Sequence, residues 1–361
     1  MNMIVHERPG VYSSYDASSA SSAGTAPRIV GAAARAAKGT VGKAVTVTSY
    51  AAGVEVFGED NTPGMSTILR LLFANGASAV TAVRVADAAE GENASAQNLA
   101  AYQAAFAALD RQDVQVVVCD SGDLAVQQAL RSAVQEASAS RRERIAVVGG
   151  SGEDVSALCA RAKALNSERV VLTGPDALDG AGNTLPGVFA AAAAAGAIAA
   201  GRDPALPLNG VELKGLGGLS QDYGESDIDL LVRAGVTPLE CVGGVVSPVR
   251  GVTTRTKTGE AADSTWRELT TILIVDDVIP AVRSALRAKF ARTKNTARNR
   301  GAIRSQVIVE LEKKAAAEII DSYGDVAVAA SPDDPAVCLV EFSFAAAHGL
   351  NQIYLTAHIT V

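Results

Sequence analysis

The sequence contains few histidine, cysteine and aromatic residues. It contains three histidines (His6, His348 and His358), and none is paired with a cysteine or another histidine at metal-ligand spacing. Its four cysteines are far apart and form no CxxC pair, which indicates reduced, mostly buried thiols in a cytoplasmic product. Aromatic residues make up only 4% of the chain, which favours close packing over large aromatic pockets. We therefore expect no metal, no cofactor and no catalytic activity.

Long apolar runs and excess positive charge are also missing. The best candidate for a membrane span is the alanine-rich stretch Val188–Ala200, which is too short, so we expect no membrane insertion. The first ten residues, MNMIVHERPG, lack a signal-peptide pattern. The net charge of -7 argues against general affinity for nucleic acid.

Two glycine-containing segments resemble nucleotide-binding motifs but fail in detail. Residues 147–152 (VVGGSG) follow a predicted strand and precede a predicted helix. However, Val155 stands where GxGxxG needs its third glycine, and Glu153 replaces the closing glycine of GxSxG. Gly42-Lys43 resembles the end of a P-loop, but alanines replace the other residues that the motif requires. An ordinary tight turn explains each segment better.

From residue 27 to residue 250 the sequence alternates between strands and helices. Continuous apolar strands, such as Val114–Cys119 and Val170–Thr173, are separated by amphipathic helical patterns, such as Leu124–Ala139 and Val155–Leu165. This alternation predicts an α/β domain with a largely parallel sheet covered on both faces.

Residues 251–361 predict a separate α+β domain. Trp266–Asp276 is apolar with a β-like beginning, and a helix is predicted to follow, with Pro280 near its start and the acidic pair Asp276-Asp277 favouring its dipole. The helical stripe is Ile279, Val282, Leu286 and Phe290. A second helix carries Ile303, Val307, Leu311 and Ala315. Strands are predicted at 325–330 and 336–344.

Both ends of the chain contain a strand pattern. The N-terminal strand is followed by Ser13–Ala26, a small-residue linker, so residues 1–26 are either a frayed terminus or an arm that reaches another subunit. Side chains from Ile353 to Val361 alternate between apolar and polar, and no proline or lysine protects this strand from pairing. It lies either inside a sheet of its own domain or in a sheet shared with a neighbour. The candidate linking residues are Met3, Ile4, Val5, His6, Ile353, Leu355, Ala357, Ile359 and Val361.

All charged residues in the segment between Val278 and Val309 are basic. It holds eight arginines and lysines and no acidic residue. It is either a solvated face or a docking face for an acidic partner, and an acidic protein suits the overall charge better than nucleic acid.

Six blocks of sequence, in order, resemble the sheath proteins of contractile phage tails and R-type bacteriocin particles. The resemblance covers nearly the whole chain. The blocks are Glu7–Tyr12 (ERPGVY), Val45–Gly58, Leu72–Val85 (with Ala77 in place of the second glycine of FFxNGG), Ala194–Pro204, Arg250–Thr256 (RGVTTRT) and His348–Leu355 (HGLNQIYL).

This resemblance implies a structural protein that stacks as hexameric rings around an inner tail tube. In that family the N-terminal arm and the C-terminal strand add to sheets of neighbouring subunits, and the C-terminal domain faces the tube. The expected partners are other copies of the chain, the tube protein, and baseplate and tail-terminator proteins, with assembly in the bacterial cytoplasm. The tube-facing cations would be Arg283, Arg287, Lys289 and Arg292.

Two other functions remain open from the residues alone. An α/β enzyme would have a deep pocket with convergent polar groups. A nucleic-acid-binding module would use the basic segment and show salt-sensitive DNA binding.

Overall fold

The computed structural model describes residues 28–351 of the chain. The predicted arm and the predicted terminal strand at Ile353–Val361 lie outside the described residues. Within the described range there are seventeen strands and nine helices. The strands are β1 (Val30–Ala34), β2 (Ala44–Val47), β3 (Val80–Arg84), β4 (Val116–Cys119), β5 (Ile145–Gly149), β6 (Val170–Gly174), β7 (Ala177–Leu178), β8 (Thr184–Leu185), β9 (Gly218–Leu219), β10 (Val236–Val242), β11 (Val245–Pro248), β12 (Lys257–Thr258), β13 (Ala261–Ala262), β14 (Ile320–Tyr323), β15 (Ala327–Ala330), β16 (Cys338–Glu341) and β17 (Phe344–Ala346). The helices are α1 (Tyr50–Phe57), α2 (Met65–Ala74), α3 (Ala94–Asp110), α4 (Leu124–Ala139), α5 (Val155–Leu165), α6 (Gly187–Ala200), α7 (Glu225–Ala234), α8 (Leu269–Phe290) and α9 (Ala297–Ala316).

The described residues form two compact units. The larger contains residues 28–202, 206–272 and 349–351, and the smaller contains residues 203–205 and 273–348. The sequence-based limit was drawn at residues 250–251, whereas residues 251–272 lie with the larger unit. Buried hydroxyl groups hold this segment there. The Thr254 hydroxyl accepts the Ser167 N–H and donates to the Ser167 carbonyl, each at 3.0 Å.

An eight-stranded sheet forms the centre of the larger unit. Its strand order is β11-β10-β6-β5-β4-β1-β3-β2. The six inner strands are parallel to one another, and the two edge strands, β2 and β11, are antiparallel to their neighbours. The predicted α/β class, with a largely parallel sheet and a C-terminal α+β region, is confirmed.

Helices cover both faces of this sheet. Helix α6 lies against β4, β5 and β6 with α2 beside it, while α3, α4, α5 and α7 cover the opposite face. Successive residues of a strand point to opposite faces. In β5, Ala146 and Val148 belong to the core beneath α3, α4, α5 and α7. Ile145 and Val147 therefore face α6, and all four side chains are at most 1% exposed.

Helix α6 is rich in alanine and glycine because its backbone approaches its neighbours closely. A Cβ built on Gly149, at the end of β5, would overlap the backbone of Gly187 in the first turn of α6. A Cβ on Gly196 would lie 2.7 Å from the Leu72 carbonyl oxygen in α2. Gly149 of the 147–152 motif is thus needed for close packing between helix and strand.

The smaller unit consists of a helical hairpin and a long two-stranded ribbon. Helices α8 and α9 are antiparallel, because Asp277 pairs with Lys314 and Lys289 pairs with Gln306. In the ribbon, β14 pairs with β17 and β15 pairs with β16, both antiparallel. Helix α9 packs against β14 and β15.

The predicted beginning of α8 was wrong. The helix begins at Leu269, so Pro280 lies in its interior and Asp276 and Asp277 are not in its first turn. The β-branched run TTILIV is typical of a strand in sequence. Residues 271–275 are all buried, and a helix buried on every side loses the amphipathic period that identifies it.

Candidate functional site

At the edge of the sheet where parallel α/β proteins bind ligands, three of the protein's own residues interact with one another. This edge lies at the carboxyl ends of β1 and β4, where the strand order reverses. There the Asp120 carboxylate accepts hydrogen bonds from the Tyr102 hydroxyl at 2.6 Å and from the Arg35 backbone N–H at 2.9 Å. The Arg35 guanidinium lies 5.7 Å from the centre of the Tyr102 ring. Burial raises the pKa of both Asp120 and Tyr102. This cluster links three elements of the fold.

The turn after β5, residues 149–153, is likewise bonded within the protein. The Gly152 N–H donates to the Asp176 carboxylate at 2.8 Å, so it is not available to a phosphate. Arg161 holds Glu153 by a bidentate ion pair, with an Nη2–Oε1 distance of 2.5 Å. Because these groups are bonded within the protein, the turn does not present them to a dinucleotide.

Neither a metal centre nor a membrane span is found in the part of the chain that the structure describes. Within residues 28–351 no group of three or more His, Cys, Asp or Glu side chains is placed to hold an ion. No helix of this range combines the length and the hydropathy needed to cross a bilayer.

The structure separates the four predicted tube-facing cations into different environments. Arg287 and Arg292 are exposed, and within residues 28–351 neither side chain forms a hydrogen bond or an ion pair. Arg283 is half-buried and has an interaction partner. The Lys289 ammonium donates to the Gln306 side chain of α9, so it links the two helices.

Two further cations belong with Arg287 and Arg292. Lys294, in the loop between the helices, and Arg298, in the first turn of α9, are exposed and unpaired within the described residues. By contrast, Arg300 and Arg304 are bonded inside the smaller unit, to Asn295 Oδ1 at 3.0 Å and to the Val326 carbonyl at 2.8 Å. We call Arg287, Arg292, Lys294 and Arg298 the hairpin-end cations. Sequence spacing does not select these four side chains, because none of the eight basic residues between Val278 and Val309 has an acidic residue three or four positions away.

The ribbon ends beside the same loop. Asn295 Nδ2 donates to the carbonyl oxygens of Pro335 at 2.8 Å and Val337 at 3.1 Å, in the turn between β15 and β16. The loop with Lys294 and the ribbon turn are therefore held together. The ribbon turn and the loop that carries Lys294 therefore lie at the same end of the smaller unit.

The ribbon has two edges that no third strand covers among residues 28–351. It runs from Ile320 to Ala330 and returns from Cys338 to Ala346, with register irregularities near Ser322 and at residues 324–326. One face is anchored to α9 by buried side chains such as Val326. Val337, in the turn between β15 and β16, is 40% exposed.

The edges of the large sheet, by contrast, are protected from pairing with further strands. The outer edge of β11 is covered by residues 208–213, because the Leu213 N–H donates to the Val246 carbonyl at 2.8 Å and the Gly210 N–H donates to the Pro248 carbonyl at 2.9 Å. The other edge strand, β2, is only four residues long. Short or covered edges prevent unwanted strand pairing. Within residues 28–351, the ribbon therefore differs from the β11 edge in having no backbone segment bonded along its edges.

Two family models match the chain. The phage tail sheath protein central domain matches residues 94–254, and the phage tail sheath C-terminal domain matches residues 261–360. The tail sheath protein of Bacillus phage SP01 is 28% identical over 252 residues. That match covers 68% of this chain and 43% of the length of the phage protein.

Solved structures share the fold over nearly the whole chain. The helical sheath of the anti-feeding prophage in its contracted state has a TM-score of 0.72 at 18% identity, covering 98% of this chain and 99% of that one. The sheath tail protein from Desulfitobacterium hafniense has a TM-score of 0.69 at 12% identity, covering 94% of this chain and 100% of that one.

The two matched domain models define the class of this protein, which is that of phage tail sheaths. The chain belongs to the phage tail sheath protein family. The family membership that the sequence blocks indicated is thereby confirmed.

Proposed function

We propose that this chain polymerises as hexameric rings stacked helically around an inner tail tube, and that contraction of the sheath drives the tube through a target envelope. Both sheath domain models and the likeness to sheath structures along the chain support this function. Other copies of the chain, the tube protein, and baseplate and tail-terminator proteins are its partners, and the particle assembles in the bacterial cytoplasm. It is a phage tail or a related injection device.

The observation that carries the proposal is the ribbon, because no third strand pairs with either of its edges among residues 28–351. An exposed edge presents unpaired N–H and C=O groups that bind another strand through main-chain hydrogen bonds. Two edges allow two donor strands, and the chain has two candidates, at Met3–His6 and Ile353–Val361. Each ribbon would bind strands from neighbouring subunits. Repetition of such heterologous contacts generates an open helix.

The hairpin-end cations suit an acidic surface on the tube. They are exposed and unpaired within the described residues, so they can form ion pairs without breaking existing ones. The rest of the chain is acidic, because the net charge is -7 although residues 278–309 hold eight basic residues and no acidic one. Concentrated positive charge at one end of the smaller unit favours one orientation of the subunit on an acidic tube.

Contraction is then rigid-body motion of subunits that stay linked through their strands. Hinges of this kind need flexible segments between rigid bodies. The predicted linker at residues 13–26 has the composition of such a segment. The energy would come from the extended state, which is kinetically trapped.

Electron microscopy of the purified full chain tests the strand-exchange mechanism. Wild-type protein is expected to form tubular polymers. Removing residues 1–20 is expected to abolish long polymers and to change the melting temperature little, because that segment offers few apolar side chains to an intramolecular core. Replacing residues 3–6 with Gly and Ser should have the same effect, whereas replacing residues 17–20 in the same way is the matched control. Polymers of normal length from the truncated chain would rule out the role of the arm.

A further inference from the structure

The chain is fixed to the larger unit immediately before its predicted C-terminal strand. Asn209 Nδ2 donates to Asn351 Oδ1 at 2.8 Å, and Asn209 Oδ1 accepts the Gly251 N–H at 3.3 Å. Two residues earlier, Gly349 packs on the Pro207 ring, since a Cβ at this position would lie 3.0 Å from two ring carbons. Asn209 therefore clamps Asn351 to the segment that follows β11.

Three exposed apolar side chains lie within three residues of the clamp residues in the chain. Leu206 is 68% exposed, Leu350 is 73% exposed and Val211 is 39% exposed. Leu206 precedes Pro207, Leu350 lies between the two anchored residues Gly349 and Asn351, and the Val211 N–H donates to the Leu208 carbonyl at 3.3 Å. We call Leu206, Val211 and Leu350 the anchor patch. Large exposed apolar side chains grouped in this way mark interaction sites.

The distance from the clamp to the predicted strand limits what can cover the patch. Only Gln352 separates Asn351 from Ile353, and two residue steps span about 7 Å at most. Whatever body pairs with the strand at Ile353–Val361 must therefore lie beside the anchor patch. If a neighbouring subunit accepts that strand, the same subunit covers Leu206 and Leu350.

From this geometry we infer that the anchor patch is a docking surface for a second copy of the chain, namely the copy whose ribbon binds the C-terminal strand. The inference depends on the proposed strand exchange. It adds a side-chain contact to the main-chain pairing, and it makes Asn209 a positioning residue that sets where the strand leaves the larger unit.

The segments that connect the N-terminal and C-terminal strands to the rest of the subunit would then differ in length and in freedom of movement. The linker at residues 13–26 can span about 50 Å when extended, so the N-terminal connection tolerates large displacements between subunits. The C-terminal connection is short and begins at a clamped residue. The subunit at the C-terminal connection therefore stays close in every state of the polymer, and movement between subunits is taken up by the N-terminal connection.

Charge substitutions on the anchor patch test the inference. The double variant Leu206→Glu and Leu350→Glu is expected to reduce sedimentable polymer by roughly tenfold or more, because two apolar side chains would have to be buried as carboxylates. Its melting temperature should match that of the wild type, because both side chains are exposed in the subunit. Leu230→Glu is the matched control, because Leu230 is 52% exposed on α7 and lies outside the patch.

A photo-reactive benzoylphenylalanine at position 350 identifies what covers the patch. In polymers mixed from ¹⁴N- and ¹⁵N-labelled chains, cross-links are expected between chains of different label, and they should map to residues 320–346. Cross-links confined to one chain would overturn the inference, as would a lowered melting temperature of the double variant or its normal polymerisation. Failure of the wild type to polymerise would instead contradict the proposed function, so the two failures are distinguishable.

Discussion

Asp277 and Lys314 form an ion pair between α8 and α9 that is almost fully shielded from water. The Asp277 side chain is 2% exposed and the Lys314 side chain is 10% exposed. The second carboxylate oxygen, Asp277 Oδ1, is buried and accepts no hydrogen bond from any residue between 28 and 351. The pair therefore joins the two helices that carry the hairpin-end cations. Its two charges depend on each other, because each would be costly to bury alone.

Removing one member of this pair should destabilise the protein strongly. In Asp277→Ala the Lys314 ammonium stays buried without a counter-charge, and we expect a loss of about 3–5 kcal/mol in unfolding free energy. Urea unfolding of the full chain measures it. Lys313→Ala is the matched control, since Lys313 is 63% exposed in its pair with Glu310, and it should cost less than about 1 kcal/mol. Equal losses in the two variants would contradict the buried-pair argument.

The glycine at the end of β5 should tolerate no side chain. Gly149→Ala places a Cβ on the Gly187 carbonyl group and the Val188 nitrogen, which belong to the backbone of α6 and cannot rotate away. We expect a loss of about 3 kcal/mol or more, or failure to fold. The measurement is the melting temperature of the soluble protein.

Gly180→Ala is the control for this substitution. No atom lies within 4 Å of a Cβ at Gly180, so the change in unfolding free energy should stay within about 0.5 kcal/mol. A melting temperature of Gly149→Ala equal to that of Gly180→Ala would show that α6 can move away from the sheet.

Much of the α/β fold could be predicted from local sequence. Helices α4 and α5 begin and end at the predicted residues. Asp123 and Asp154 fix their beginnings by accepting backbone N–H groups, and Asn166 ends α5 in a left-handed conformation. Helix α1 was missed, and the beginning of α8 was taken for a strand. In both, β-branched residues lie in helices whose stability comes from tertiary contacts. Local propensity does not contain that information.

The candidate site could be predicted only in part. The basic residues between Val278 and Val309 indicated a charged surface, but the sequence did not show which of these side chains are exposed. The partners of Lys289, Arg300 and Arg304 lie on another helix, in a loop and near a strand, so their pairing depends on tertiary structure. The open ribbon could not be predicted either. Strand patterns indicate that strands exist, whereas the number of partners at each edge is a property of the fold.

Reversing the charge of hairpin-end cations should impair docking on the tube without affecting the fold. In the double variant Arg292→Glu and Arg298→Glu, both side chains are exposed and unpaired within residues 28–351, so the melting temperature should match that of the wild type. Tube-templated assembly at physiological salt should fall by roughly tenfold, because two attractive charge contacts become repulsive. Sedimentation with purified tubes measures the assembly.

The control carries the same change in net charge on the larger unit. Lys163→Glu and Lys257→Glu replace two exposed lysines of α5 and β12, and this variant should assemble like the wild type. Raising the salt concentration should weaken wild-type assembly, because exposed charge contacts are screened beyond about 8–10 Å at moderate ionic strength. Unchanged assembly of Arg292→Glu and Arg298→Glu at physiological salt would mean that these cations form a solvated surface, and that the tube is bound by another part of the subunit.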